Sequence, residues 1–233
     1  MSDPNAWIAL LTLTALEIIL GIDNIVFITI LTGRLPQEQR PRARRLGLGL
    51  AMIMRILLLT MLSTIMAMTQ PLFTVLGNAI SGRDIVLIAG GIFLLVKSTL
   101  EIHHQMEGHK DGAEAKAGVT FAGALVQIGL LDMVFSLDSV ITAVGTVDEV
   151  SVMILAVVLS IIVMVMFVNP VSEFVERHPT FKMLALSFLV LIGVALIADG
   201  LELHIPKGYV YFAMAFSLGV ELLNMRLRRK AGA

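Results

Sequence analysis

Glu17-Ile18-Ile19-Leu20-Gly21-Ile22-Asp23-Asn24-Ile25-Val26 stands in the middle of an apolar run from Trp7 to Thr32. That run is long enough to cross a bilayer, which takes about 20 residues. Two carboxylates and an amide at its centre run against such surroundings. A charge at bilayer depth costs roughly 2.5–3.5 kcal/mol on insertion scales, so a use is expected of it. The pattern returns far down the chain in Asp132-Met133-Val134-Phe135-Ser136-Leu137-Asp138-Ser139-Val140-Ile141. Glu17 corresponds to Asp132, Asp23 to Asp138 and Asn24 to Ser139. Two apolar segments that each carry an acid, five residues, an Asp and a small polar residue point to a paired cation site inside a membrane.

Composition supports the membrane reading. Of 233 residues, 57% are hydrophobic and only 15% are charged, against about 45–50% and about 25% in soluble domains. Mean hydropathy is +0.90. A formal net charge of −1 implies no nucleic-acid partner, and the absence of cysteine removes disulfides, thiolate metal sites and cysteine nucleophiles together. The N-terminal residues lack a basic region and the first run is too long for a cleaved leader, so it is expected to remain as a helix.

Seven apolar runs are read as spanning helices: Trp7–Thr32, Leu46–Met68, Ile85–Ile102, Val119–Val144, Val150–Val168, Phe181–Ile197 and Gly208–Met225. Helices follow from run length and from the need to satisfy every backbone group internally. The connections alternate in charge. Arg34, Arg40, Arg42, Arg44 and Arg45 follow the first run, Lys110 and Lys116 the third, Arg177 and Lys182 the fifth, and Arg226, Arg228, Arg229 and Lys230 the last. The others are nearly free of Lys and Arg. The positive-inside rule then predicts the N-terminus outside and the C-terminus in the cytoplasm of a cell (inner) membrane protein.

The repeat extends beyond the acids. The third run ends in Glu101-Ile102-His103 and the sixth in Glu202-Leu203-His204. Residues 1–104 and 117–204 therefore read as two three-helix units, followed by a seventh helix at 207–226. An odd number of helices per unit turns the second copy upside down, a recurrent transporter plan with its site near the midplane. The expected fold is an all-α, polytopic, single transmembrane domain of seven helices, an inverted 3+3 repeat plus one.

On a straight helix Glu17 and Asn24 share a face, while Asp23 falls about 120° away. Ligation of one ion by all three predicts a helix break, most easily at Gly21, with Ser136 at the equivalent place in the second copy. If both Asp23 and Asp138 ligate one ion at roughly 2.2 Å, their Cβ atoms are expected on the order of 6–9 Å apart. The alternative is a polar cluster that joins helices. Oxygen ligands alone suit manganese, magnesium or calcium, disfavour zinc and exclude copper(I). Arg55 either pairs with a site carboxylate or snorkels toward the neighbouring arginines. Gln127 supplies either a ligand oxygen or a helix–helix bond, and Glu221 is a candidate gate or accessory ligand. Lys97 and Glu101, four residues apart, are expected to pair. His103, His104 and His109, beside Glu107 and Asp111, could sense metal, though a solvated loop is the default.

The strings 17–24 and 131–140 resemble the two signature segments of the TerC family of membrane proteins. So do Arg-Ala-Arg-Arg-Leu-Gly-Leu (42–48), Val-Glu-Arg-His-Pro (175–179), Lys-Met-Leu-Ala-Leu-Ser-Phe (182–188) and Pro-Lys-Gly-Tyr-Val-Tyr-Phe-Ala-Met (206–214). The resemblance spans nearly the whole chain. It implies a bundle related to the LysE-type exporters and the export of divalent metal, chiefly manganese. It also implies Glu17, Asp23, Asn24, Asp132, Asp138 and Ser139 as the metal-binding set. Some relatives append cytosolic domains at the C-terminus, and none is expected here.

The leading expectation is a secondary exporter of manganese or a similar hard cation. The ion is cargo rather than a tightly bound cofactor, and protons are candidate coupling ions. The rival is an accessory membrane protein that supplies metal to, or assists, the secretion machinery. An intramembrane enzyme is not expected, because four acids with Asn and Ser suit a cation cage better than a two-acid catalytic pair.

Overall fold

A computed structural model describes residues 4–75, 78–107, 120–144, 150–203 and 205–231; the side chains of Asp23 and Asp138 lie outside the described part. The elements are α1 (Pro4–Gly33), α2 (Arg40–Thr60), α3 (Leu62–Ala67), β1 (Pro71–Val75), β2 (Asn78–Ser81), α4 (Gly82–Met106), α5 (Phe121–Val144), α6 (Val150–Arg177), α7 (Pro179–Gly200) and α8 (Lys207–Ala231). The chain is a polytopic, essentially all-helical membrane protein. Six of its helices, α1, α4, α5, α6, α7 and α8, are long and apolar enough to cross a bilayer among the described residues.

The seven-run reading differs from this at α2. Its run was expected at Leu46–Met68 but ends at Thr60, and α3 continues after a break at Met61. α2 also starts early, taking Arg40, Arg42, Arg44 and Arg45 into its first turns, with Arg55 further along. Those charges, and not its length, keep it from the apolar class.

Between α3 and α4 lies an antiparallel hairpin that the apolar-run reading passed over. Phe73 pairs with Ile80, Thr74 with Ala79 and Val75 with Asn78, with an irregularity between Pro71 and Phe73. The sequence signal was there: alternating β-formers around Gly77-Asn78, a dipeptide that favours tight turns. β2 feeds directly into α4 through a capping box. The Ser81 backbone N–H donates to Asp84 Oδ2 at 2.9 Å, and the Asp84 backbone N–H donates to Ser81 Oγ at 3.3 Å. At the far end of the bundle, α6 continues through Pro170 to Arg177, beyond the expected limit at Val168.

The helices pair as α4 with α7, α1 with α6, and α2 with both α5 and α6. Ile28, Leu48, Leu87, Leu94, Ile128, Leu131, Val168, Leu186 and Leu189 fill the spaces between them and are almost wholly buried. Outward positions such as Ile92, Val96, Leu130, Phe167, Phe212 and Phe216 expose large apolar side chains, as a lipid-facing surface requires. Number the apolar runs one to six and exchange one with four, two with five, and three with six. The α1–α6 pairing becomes the α5–α2 pairing, while α4–α7 and α2–α6 each map onto themselves. The pairing pattern is thus symmetric under that exchange.

The α4–α7 pair depends on glycine. A Cβ on Gly91 would lie 2.6 Å from the carbonyl oxygen of Gly193, and one on Gly193 would lie 3.0 Å from that of Gly91. Gly200 meets the Asp84 carbonyl in the same way, at 2.9 Å. Backbones in such a crossing touch directly, an arrangement common between membrane helices. Gly91→Leu is therefore expected to destabilise the protein by about 1–3 kcal/mol, the usual range for overpacking. Gly49→Ala, whose Cβ meets nothing within 4 Å, is expected to be neutral or to stabilise by up to about 1 kcal/mol. Thermal unfolding of the two variants in detergent micelles checks the contrast.

Candidate functional site

The middle of the bundle holds a polar cluster drawn from α1, α2 and α5. On α1, Glu17, Gly21 and Asn24 lie on one face at helical spacing. Gly21 lets α6 approach closely: a Cβ there would lie 2.2 Å from Met164 Sδ. Glu17 and Asn24, a turn to either side, point at α2 and α5. On α5, Asp132, Ser136 and Ser139 repeat the same spacing.

Asp132 is the hub. Its Oδ1 accepts from Asn24 Nδ2 at 3.2 Å, from Arg55 Nη2 at 3.1 Å and from Arg55 Nε at 3.3 Å. Its Oδ2 accepts from Ser136 Oγ at 3.1 Å. Arg55 Nη1 donates to Glu17 Oε2, so one guanidinium bridges both acids. Arg55 is 3% exposed and Asp132 4%, leaving no bulk water to share their charge. Ser139 Oγ donates to the Ser136 carbonyl at 3.2 Å and lines a small cavity with Glu17 and Arg55. Asn24 of the first acidic segment thus sits on the acid of the second, while Ser139 of the second shares a cavity with Glu17 of the first.

A second small cavity borders Asn24 and Asp132, and Phe27 closes one side of it. Phe27 also borders a wider cleft lined by Arg34, Lys97, Ser98, Glu101 and Gln127. Ion pairs staple helix ends together, one group of them at this cleft. Glu101 of α4 pairs with Arg34 after α1 and with Lys182 of α7, the latter at 3.5 Å. Glu176 of α6 pairs with Arg44 at 2.5 Å and with Arg40 at 3.4 Å. Nearby, the Thr29 and Ser172 hydroxyls lie 2.6 Å apart.

Of the expected site residues, the structure brings together Glu17, Asn24 and Asp132, with Ser139 beside them. The expectations for Asp23 and Asp138, including their separation, fall on side chains outside the described residues. The helix breaks at Gly21 and Ser136 are not there. Both positions lie inside continuous helices, because Gly21 serves close packing and the Ser136 hydroxyl bonds Asp132 instead of the backbone. Arg55 takes the first of its two readings and pairs with the site acids. Lys97 does not pair with Glu101, which two other cations hold; its Nζ lies over the Phe93 ring, 5.7 Å from the centroid. Gln127 lines the wider cleft, and its Oε1 has no hydrogen-bond partner among the described residues. Glu221 accepts from Asn224 at 3.4 Å on α8, which packs chiefly on α7 and away from the cluster. His103 pairs with Glu107 at 3.1 Å; His109 and Asp111 lie outside the described residues. Among the described residues no three His, Asp or Glu side chains converge as they would around a metal. Ser136, expected as a break, instead braces Asp132, a role legible in the four-residue spacing between them.

The chain matches the family described as "Integral membrane protein TerC family" over residues 2–231. It is similar to a UPF0053 protein of Haemophilus influenzae, with 57% identity over 233 residues, covering 98% of this chain and 97% of the relative. The UPF0053 inner membrane protein YgdQ of Escherichia coli is 51% identical over 230 residues, covering 99% and 97%. The inner membrane protein YoaE of the same organism is 50% identical over 230 residues, covering 98% of this chain but 44% of its own length. No solved structure matches.

Removing one partner of a buried ion pair leaves the other charge uncompensated, at about 3–5 kcal/mol. Arg55→Met is expected to lose stability in that range. Adding Glu17→Gln is expected to return part of the loss. A double-mutant cycle on denaturation midpoints in detergent checks the sign, since independent sites would add.

Proposed function

The chain belongs to the TerC family of integral membrane proteins, and on that premise we propose that it is a secondary carrier for a hard divalent cation, manganese foremost. One observation supports this above others. Two distant, matching segments deliver a carboxylate each to one buried point, beside an amide and hydroxyls, with no sulfur or imidazole ligand among them. Such an oxygen set suits manganese, magnesium or calcium. Glu17 and Asp132 would hold the ion with Asn24 and Ser139, joined by Asp23 and Asp138. The symmetric helix pairing supports the same reading, because the exchange carries the Glu17 segment onto the Asp132 segment with the site between them, as an inverted-repeat carrier would have it.

Orientation follows from charge. The ends that carry Arg34, Arg40, Arg44 and Lys182 gather on one side of the bundle, and by the positive-inside rule that side faces the cytoplasm. Flux from cytoplasm to outside would then pass the Glu101 cleft, Phe27 and the central acids in turn.

Purified protein in liposomes loaded with a manganese-quenched dye is expected to admit manganese down its gradient. Asp132→Asn and Glu17→Gln are each expected to slow this by at least the order of ten- to a hundredfold that even outer-shell ligands command. Manganese entry no faster than in protein-free liposomes would sink the carrier reading and favour an accessory role beside the secretion machinery.

A further inference from the structure

Arg55 is an unusual occupant of this site. It is a fixed cation, since a guanidinium is not discharged in proteins. It comes from one half alone: α6, the counterpart of α2 under the packing exchange, has no charged residue from Val150 to Ser172. Its donors take Glu17 Oε2 and, twice, Asp132 Oδ1, the same oxygens that a bridging divalent ion would need. Ion–oxygen distances of roughly 2.0–2.6 Å leave no room for both cations on those oxygens.

We propose that Arg55 is a surrogate cation: it holds the two carboxylates while the carrier is empty, yields them to the cargo ion, and takes them back when the ion leaves. This rests on the carrier reading above. Two bare carboxylates cross back through a low-dielectric barrier at less cost when part of their charge is met. Here a tethered guanidinium meets one of the two negative charges and hydrogen-bonds both acids. Arg55 therefore opposes cargo binding and promotes the return of the empty form, and its loss separates the two effects. A purely architectural ion pair would not.

The test compares the native chain with Arg55→Ala and Arg55→Lys. Manganese binding is read from loss of the free-ion paramagnetic signal in nanodiscs. Net flux and tracer exchange are read in liposomes. With Arg55→Ala, manganese is expected to bind on the order of tenfold tighter, within the span usual for coupled ligands. Net flux is expected to fall, while exchange of internal for external manganese persists, because exchange never needs the empty form to return. Added methylguanidinium is expected to restore net flux. If the alanine variant does not fold, Arg55→Lys carries the test, since a compact ammonium cannot fork across both acids. It is expected to bind manganese tighter and to lose net flux more than exchange. Weaker binding in a folded variant, or equal loss of exchange and net flux, would overturn the proposal. A native chain that shows neither flux nor exchange would overturn the carrier reading itself, and the proposal with it.

Discussion

A carboxylate taken out of water must be met by charge and hydrogen bonds, and the centre of this bundle is arranged around that constraint. Asp132 accepts four hydrogen bonds from three side chains, and Glu17 shares its guanidinium. Satisfying those acids fixes how α1, α2 and α5 face one another. The helix faces that carry Glu17, Asn24 and Asp132 cannot rotate toward lipid without exposing charge to hydrocarbon. The apolar packing around them only has to fill the remaining space.

A second set of charges works in a different dielectric. The Arg34–Glu101–Lys182 and Arg40–Glu176–Arg44 groups lie at helix ends, where several members are partly exposed. The exposed pairs among them contribute little each, about 0–1 kcal/mol, while Arg44 and Glu101 are buried members. Their value is in specificity. One group ties α1, α4 and α7 and the other ties α2 to α6, in a bundle whose apolar faces discriminate poorly between neighbours. The Thr29–Ser172 contact adds a short-range tie between α1 and α6 at a similar depth.

Much of this was legible in the sequence because membrane helices obey coarse rules. Run length gave most of the helices, and repetition of the acidic segment matched Glu17 with Asp132, though the carboxylates expected to meet were those of Asp23 and Asp138; Arg55 bridges Glu17 and Asp132. What was not legible depended on partners far away in the chain. Lys97 and Glu101 have the spacing of an ion pair, but Glu101 finds Arg34 and Lys182 first. Gly21 has the composition of a break, yet Met164 needs the space. α2 reads as one span to Met68 until its arginines, too many for lipid, are drawn into helix ends and the central site. The hairpin before α4 was passed over because hydropathy says nothing about strands of four or five residues.

The glycine crossing of α4 and α7 shares no chemistry with the central cluster. Its contacts are backbone against backbone, without charge, and with few rotamers to change. The bundle thus holds a backbone-packed pair, α4 with α7, tied to the end of α1 through Glu101, and a set joined by buried charge, α1, α2 and α5. Under the carrier proposal, a bound cation would compete for contacts within the second set, while the first is packed backbone against backbone.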